Sequence, residues 1–184
     1  MSPITTHSTS SRRGAIVLLL TGALIASGSP TSHATYYSGG MPARSFNIQA
    51  VGINSVWVGH LDTARSNWNS SGAGVSIGRT SNSKATFTAA HYAQTWLGLY
   101  APSGVRGVNR VFSIKVNART LNASAGSNLS QWIRSTSTHE LGHALSLADN
   151  PSTSASSLMK HDRNRATLTK PTSYDVAEVK RIYS

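Results

Sequence analysis

The spacing of apolar residues predicts a β-strand and then a helix in the second quarter of the chain. Residues 45–51 (SFNIQAV) alternate between apolar and polar, as the residues of a half-buried strand do. From about Ser55 the apolar residues recur with the period of a helix and form one stripe. That stripe consists of Trp57, Leu61, Ala64 and Trp68. A tryptophan stripe of this kind is typical of a face packed in the core, and the polar turn at residues 69–72 (NSSG) ends the helix.

Shorter apolar segments predict several more strands before the chain becomes helical again. Clusters of Ser, Asn, Gly and Pro separate these segments, as expected for turns. The candidate strands span residues 74–79, 85–92, 95–100 and 111–117, and residues 118–126 are expected to form a loop. Strands and helices that share one region without an internal repeat predict a single domain of the α+β class.

Two helices are predicted in the last third of the chain. Ser127 is a suitable N-cap for a long helix. The apolar positions of this helix are Leu129, Trp132, Ile133, Leu141, Ala144 and Leu145. After a Ser-rich loop, a last helix is expected to begin within residues 171–175. Its apolar stripe consists of Val176, Val179, Ile182 and Tyr183.

The N-terminus has the pattern of a secretory signal. Arg12 and Arg13 precede an apolar run at residues 15–27, and residues 32–34 (SHA) follow as a small-x-small cleavage site. The run is shorter than the roughly 20 residues that a membrane-spanning helix needs. We therefore predict a signal peptide at residues 1–34 and a mature domain at residues 35–184. This mature chain is expected to lack a transmembrane segment and to be secreted into the extracellular space.

Composition narrows the possible partners and chemistry. The formal net charge is +11 and the chain contains no cysteine. A strongly basic exported protein is attracted to anionic surfaces, so an anionic cell-wall surface is a candidate partner. No basic run is interleaved with aromatic residues, which argues against nucleic acid as a partner. The absence of cysteine excludes disulfides, thiol nucleophiles and all-cysteine zinc sites.

The most informative motif lies on the predicted long helix. His139 and His143 are four residues apart, which places both imidazoles on one face of a helix, one turn from each other. That spacing lets both bind one zinc ion, with Glu140 beside them as a general base. Glu140 is one of only two glutamates in the chain. The alternative is an ordinary solvated helix on which these residues have no chemical role.

Asp149 is the best candidate for a third metal ligand. The helix must end near residues 145–146, and a turn can then bring Asp149 back beneath the metal. A catalytic zinc usually has three protein ligands and one open position for water. Glu140 would take a proton from that water as it attacks a carbonyl, and would then deliver the proton to the leaving amine. We predict one catalytic zinc ion, and calcium binding is left open.

Residues 139–149 (HELGHALSLAD) resemble the extended motif of the metzincin zinc peptidases, H-E-x-x-H-x-x-G-x-x-H/D. The final aspartate is similar to that of the snapalysin-type small neutral proteases of bacteria. Residues 156–159 (SSLM) resemble the Met-turn, and residues 171–183 are similar to the C-terminal helix of the matrixins. The resemblance implies a zincin-like metzincin fold with a twisted mixed β-sheet, a long active-site helix, a Met-turn and a C-terminal helix.

The resemblance also implies how the site would be completed. Met159 of the Met-turn would pack beneath the zinc without binding it. Residues 95–100 would form the edge strand above the cleft, and an extended substrate would pair with that strand. The loop at residues 160–172 would line the pocket just beyond the cleaved bond. Its lysines and arginines favour acidic or polar substrate residues at that position.

Several positions depart from the motif or stand outside it. Ser146 replaces the motif glycine that permits the sharp turn, and serine is disfavoured at positive φ. Either the turn has another conformation or the third ligand is placed differently. His161 lies two residues after Met159 and is either an accessory group, which polarises substrate or adds a ligand, or a loop histidine. His60 and His91 have no partner motif and are expected to be structural or surface residues.

The sequence thus predicts a secreted zinc-dependent endopeptidase that acts on protein or peptide substrates. Two alternatives stay open. The first is a non-catalytic module that zinc stabilises and that binds anionic cell-wall or protein partners. The second keeps the zinc chemistry but directs it at the peptide cross-links of the cell wall.

Overall fold

The computed structural model describes residues 35–184. The predicted signal peptide at residues 1–34, with its paired arginines and cleavage site, lies outside these described residues. In chain order the elements are β1 (Ser45–Ala50), α1 (Ser55–Asn69), β2 (Ser76–Arg79), β3 (Thr86–Ala90), β4 (Gly98–Ser103), β5 (Val111–Asn117), α2 (Ala118–Ser124), α3 (Leu129–Ala144) and α4 (Ser173–Ile182). None of these helices is both long and apolar enough to cross a lipid bilayer.

The five strands form one mixed sheet in the order β2-β1-β3-β5-β4. The pairs formed by β1, β2, β3 and β5 are parallel, whereas β4 is antiparallel to β5. β4 is therefore an edge strand, and its Pro102 is tolerated because an edge strand needs backbone donors on one side only. The mixed sheet and its helices confirm the coarse prediction that the fold combines α and β structure.

Most predicted elements occur where the apolar pattern places them. β1, α1 and β5 match the predicted ranges to within one residue. The strand predicted at residues 95–100 is displaced, because β4 begins at Gly98 and continues to Ser103. Pairing of β4 with β5 decides these limits, since Gly98 lies opposite Val116 and Ser103 lies opposite Val111. The alternation of apolar and polar residues within one segment does not reveal which strand it pairs with or in which register.

The loop predicted at residues 118–126 is wrong, because Ala118–Ser124 forms α2. The Asn117 side chain accepts a hydrogen bond from the Thr120 backbone amide and so caps this helix. Leu121 is fully buried in the core. A single buried leucine in so short a segment gives too little periodicity for the sequence to predict a helix.

The predicted start of the long helix is also corrected. Asn128, not Ser127, is the N-cap of α3, and its side chain makes no capping hydrogen bond. A 3₁₀ turn, Gly126–Asn128, leads into the helix instead. The backbone path through this turn, rather than a side-chain cap, therefore decides where α3 begins.

The core lies where α1 and α3 pack against each other and against the sheet. Trp68 of α1 is completely buried, which confirms the prediction that its stripe faces the core. Its indole N–H donates to the Thr138 carbonyl oxygen of α3 at 2.8 Å. The ring therefore contributes buried apolar area while its one polar group is satisfied. This contact holds α1 directly against the half of α3 that carries the histidine motif.

A buried carboxylate holds the segment that follows α3. Asp175, at the start of α4, accepts hydrogen bonds from the Ser157 hydroxyl at 2.6 Å and from the Leu158 amide at 2.8 Å. The same carboxylate accepts from the Thr172 amide and completes a capping box for α4. Asp175 thus ties the last helix to the backbone just before Met159.

Candidate metal centre

The second half of α3 presents two histidines with fixed orientation. The rings of His139 and His143 lie one turn apart, with their centroids separated by 4.8 Å. Nδ1 of His139 lies 3.0 Å from the Leu158 carbonyl oxygen, and Nδ1 of His143 lies 2.8 Å from the Leu147 carbonyl oxygen. A carbonyl oxygen only accepts hydrogen bonds, so each Nδ1 carries the proton. Each Nε2 is therefore left with a free lone pair, which is the form that binds a metal.

Asp149 meets the two histidines on the far side of the turn that ends α3. Its Oδ1 lies 3.1 Å from Nε2 of His139 and 3.5 Å from Nε2 of His143. One ligand atom from each of these residues falls within 4.8 Å of the others. Ligands of a tetrahedral zinc at about 2 Å lie roughly 3.3 Å apart, so the spacing suits zinc. Two imidazoles and one carboxylate are also a donor set that zinc prefers.

The electrostatics of the three groups fit metal binding. Burial lowers the pKa of His139 to about 4, and burial also lowers the pKa of His143. Both imidazoles are therefore neutral near pH 7, as metal ligands must be. Burial alone would raise the pKa of Asp149, but the adjacent imidazoles of His139, His143 and His161 outweigh that effect and lower it. Asp149 is thus ionised, and no proton need be removed from it before a cation binds.

The turn after α3 explains how Ser146 replaces the motif glycine. Ser146 has φ of +64°, so the left-handed conformation is kept without a glycine. The Leu147 amide donates to the Gly142 carbonyl oxygen at 3.0 Å, which is the closing bond of a Schellman turn. The Ser146 hydroxyl lies 2.8 Å from a guanidinium nitrogen of Arg106 and 3.2 Å from the Tyr183 hydroxyl. These partly buried contacts offset the backbone strain.

Two substitutions at Ser146 separate the strain from the hydrogen bonds. We expect Ser146→Ala to lower the free energy of unfolding by about 1–2 kcal/mol, because alanine keeps the strained φ and loses both contacts. Ser146→Gly loses the same contacts but relieves roughly 1 kcal/mol of strain, so it should cost less. Urea unfolding of the zinc-loaded variants measures both values. An alanine variant as stable as the glycine variant would contradict this account.

Glu140 faces the same pocket as the three candidate ligands. The pocket has a volume of about 270 Å³ and is lined by Tyr37, Gly98, Leu99, Tyr100, His139, Glu140, His143, Ala148, Asp149 and His161. Burial, with a smaller contribution from Asp149, raises the pKa of Glu140 to about 8. Gly98, at the start of β4, lies close to α3. A Cβ at this position would be 2.7 Å from Cγ2 of Thr136 and would overlap the Glu140 carboxylate. The carboxylate thus lies between the histidine helix and the edge strand.

His161 also lies in this pocket. Its Nε2 is 3.0 Å from Oδ1 of Asp149, and its Nδ1 is 3.0 Å from the side-chain amide of Asn150. The side chain is largely exposed. The structure therefore places this loop histidine beside the candidate ligands. His60, by contrast, is buried in α1 against Trp57, and His91 is exposed on the surface.

Met159 lies beneath α3, at the level of the histidine motif. It is buried, and its Sδ would be 2.6 Å from a Cβ built on Gly142. The Met159 carbonyl oxygen accepts a hydrogen bond from the Asn150 amide at 3.0 Å. The residue therefore packs against the helix that carries the histidines and is bonded to the neighbour of Asp149.

Sequence reasoning missed the groups that orient the candidate ligands. The carbonyl oxygens of Leu147 and Leu158 are backbone groups, so no side-chain pattern could indicate them. Arg106 lies about 40 residues before the turn that it braces, in the connection between β4 and β5. Gly98 was placed within a predicted strand, but its closeness to Glu140 depends on how β4 lies beside α3.

Comparison with known proteins adds information about the fold. The sequence matches no family model and no curated protein. Among solved structures, the chain is similar to a chain of the ECX AB5 holotoxin in its GM1-bound form, with a TM-score of 0.60 and 14% identity over 82% of this chain and 84% of that chain. Archaemetzincin from Archaeoglobus fulgidus, complexed with malonate, aligns with a TM-score of 0.41 and 16% identity over 72% of this chain and 98% of that chain. The first likeness shows a shared fold.

Proposed function

We propose that this chain is a secreted zinc-dependent endopeptidase that hydrolyses peptide bonds in protein or peptide substrates. The observation that carries the proposal is the convergence of His139, His143 and Asp149 in one pocket with the buried Glu140. Two neutral imidazoles and one carboxylate would hold the zinc ion and leave room for water and substrate. A purely structural zinc site would instead be closed by a fourth protein ligand.

The residues of the pocket have separable roles in this proposal. A bound zinc ion would supply Lewis-acid activation of a water molecule and of the substrate carbonyl. Glu140 would be kept ionised, against the effect of burial, by the positive charge of a zinc ion held beside it, so that its carboxylate can accept the proton of the attacking water and deliver it to the nitrogen of the leaving amine. The backbone carbonyls of Leu147 and Leu158 keep the two histidines in the tautomer that binds the metal. No covalent intermediate with the protein is needed.

The edge strand supports an extended peptide as the substrate. β4 lines the pocket through Gly98, Leu99 and Tyr100, and no described strand pairs with its outer edge. An extended peptide can add to such an edge through main-chain hydrogen bonds. In this arrangement the peptide passes directly in front of Glu140. Recognition through main-chain groups would make cleavage tolerant of many side chains along the strand.

We propose that the fold is metzincin-like, that Met159 serves as the Met-turn residue, and that residues 1–34 are removed as a signal peptide. The buried contact between Met159 and α3, together with the bonds from Asp175 to the preceding residues, supports the second point.

Metal analysis combined with a peptidase assay tests the function. We expect the purified protein to bind one zinc ion per chain and to hydrolyse casein and mixed peptides. A chelator should abolish this activity, and added zinc should restore it while magnesium should not, because imidazole ligands disfavour magnesium. Zinc binding without hydrolysis of any peptide would favour the non-catalytic module. Release of fragments from purified peptidoglycan, with casein left intact, would favour cell-wall cross-links as the substrate.

A further inference from the structure

A second pocket adjoins the candidate metal centre. It has a volume of about 350 Å³ and shares Gly98, His139, Glu140 and His161 with the first pocket. Its remaining walls come from Thr136 of α3, from residues 95–97 before β4, and from Arg163 and Arg165 on the loop after Met159. If a peptide substrate pairs with β4, the side chain that enters this second pocket would therefore belong to a residue next to the peptide bond that is cleaved beside Glu140.

Arg163 brings a buried cation to this pocket. The side chain is 9% exposed, and two of its N–H groups bind neutral partners. Nε donates to the Ser135 hydroxyl at 3.1 Å, and one terminal nitrogen donates to the Lys160 carbonyl oxygen at 2.8 Å. A guanidinium has five N–H donors, so three remain for another acceptor. The bond to Ser135 ties the loop to α3, the bond to Lys160 stays within the loop, and neither partner carries a negative charge.

Arg165 adds a second cation, and its buried guanidinium Nε is not satisfied by any hydrogen bond among the described residues. The guanidinium stacks over the ring of Trp132 at 5.5 Å. Within residues 35–184, no carboxylate lies within 4 Å of either arginine. Burial and the neighbouring charge of Arg165 lower the pKa of Arg163 to about 10, so this side chain stays protonated near pH 7. Glu140, Asp149 and Asp175 favour the charged form of Arg163 only from beyond 4 Å, so neither guanidinium has a carboxylate in direct contact.

An acidic side chain satisfies both charges at once. A carboxylate accepts two parallel hydrogen bonds from a guanidinium, and such charge-assisted bonds are stronger than neutral ones. Trp96 and Leu97 supply an apolar wall for the methylene groups of the same side chain. We infer that Arg163 and Arg165 select substrates with glutamate or aspartate next to the cleaved bond. This inference rests on the proposed peptidase function.

Cleavage profiles test the selection directly. The zinc-loaded protein is incubated with a library of peptides, and the residues around each cut are identified by mass spectrometry. Matched fluorogenic peptides then carry Glu, Gln or Lys at the selected position. We expect kcat/KM for the Glu peptide to exceed that for the Gln peptide by about tenfold or more, and the Lys peptide to be the poorest. Equal rates for all three peptides would overturn the inference while leaving the peptidase function intact.

Substitutions assign the preference to the pocket. Arg165→Gln should remove most of the Glu-over-Gln preference, and Arg165→Glu should shift the preference towards Lys. Lys170→Gln removes one positive charge from the same loop but lies outside the pocket, so it should keep the wild-type preference. A preference that is lost equally in the Lys170 variant would reflect net charge alone and would overturn the assignment.

A binding measurement keeps the inference testable even if no peptide is cleaved. N-acetylglutamate amide and N-acetylglutamine amide are titrated separately while the indole N–H signals of the four tryptophans are followed by NMR. The glutamate compound should shift the signals of Trp96 and Trp132, which line the pocket or stack on Arg165. The shifts should be absent with the glutamine compound and in Arg165→Gln, and retained in Lys170→Gln. Identical shifts for both compounds would overturn the carboxylate pocket, whatever the outcome of the peptidase assay.

Discussion

Glu140→Gln is expected to lower kcat for peptide hydrolysis by about 10³-fold while the protein still binds one zinc ion per chain. Glutamine has nearly the same shape as glutamate but cannot accept the proton of the attacking water. The metal ligands proposed here are other residues, so zinc affinity should change little. Stopped or continuous assays with a fluorogenic peptide measure kcat, and elemental analysis measures the zinc content.

The other glutamate of the chain provides a matched control. Glu178 lies on α4 and bonds to Arg181 and to the Thr35 hydroxyl, away from the pocket. Glu178→Gln makes the same chemical change and should leave kcat within about twofold of wild type, because Glu178 lines neither pocket and contacts none of the candidate metal ligands. Wild-type turnover in Glu140→Gln would refute the role of Glu140 as the general base. Loss of zinc in that variant would show that Glu140 acts on the metal rather than on the proton.

Asp149→Asn is expected to weaken zinc binding by at least about 100-fold. Changes to residues that merely orient ligands already cost 10- to 100-fold in metal affinity, and an amide in place of the carboxylate removes an ionised ligand itself. The substitution keeps the shape of the side chain, so the fold should be retained. Competition with a chromogenic zinc chelator measures the affinity.

A second aspartate tests whether charge alone is responsible. Asp162 is exposed on the same loop as His161 and makes no ion pair within residues 35–184. Asp162→Asn therefore changes the net charge by the same amount and should keep the wild-type zinc affinity. If Asp149→Asn also kept that affinity, the third ligand would have to be another group, and His161 would be the first to examine because it lies beside Asp149.

Features encoded in short stretches of sequence were predicted well. The apolar stripe of α1 and the alternation of β1 depend on the geometry of one helix or strand, so their limits could be derived from residue spacing. The placement of His139 and His143 on one face of a helix could also be derived from spacing, because four residues form about one helical turn. In contrast, α2 depends on an Asn117 cap and on one leucine that only the assembled core buries.

Features that depend on distant segments required the structure. Asp149 reaches the histidines through a left-handed turn at Ser146, which Arg106 and Tyr183 brace from remote parts of the chain. From the sequence, this serine was expected to disfavour the left-handed turn, because the side chains that bind its hydroxyl could not be identified. The basic loop at residues 160–172 was noted in the sequence, but only the fold shows which of its cations line the second pocket.

Residue spacing was enough to predict a strand, two long helices, and a pair of histidines one turn apart with a glutamate between them. Only the folded chain shows which side chains meet, namely the Asp149 carboxylate with the histidines, the edge strand with Glu140, and Arg163 and Arg165 in one pocket. The physical reason is that local spacing constrains the backbone over a few residues. Contacts across many residues depend on how the whole core packs.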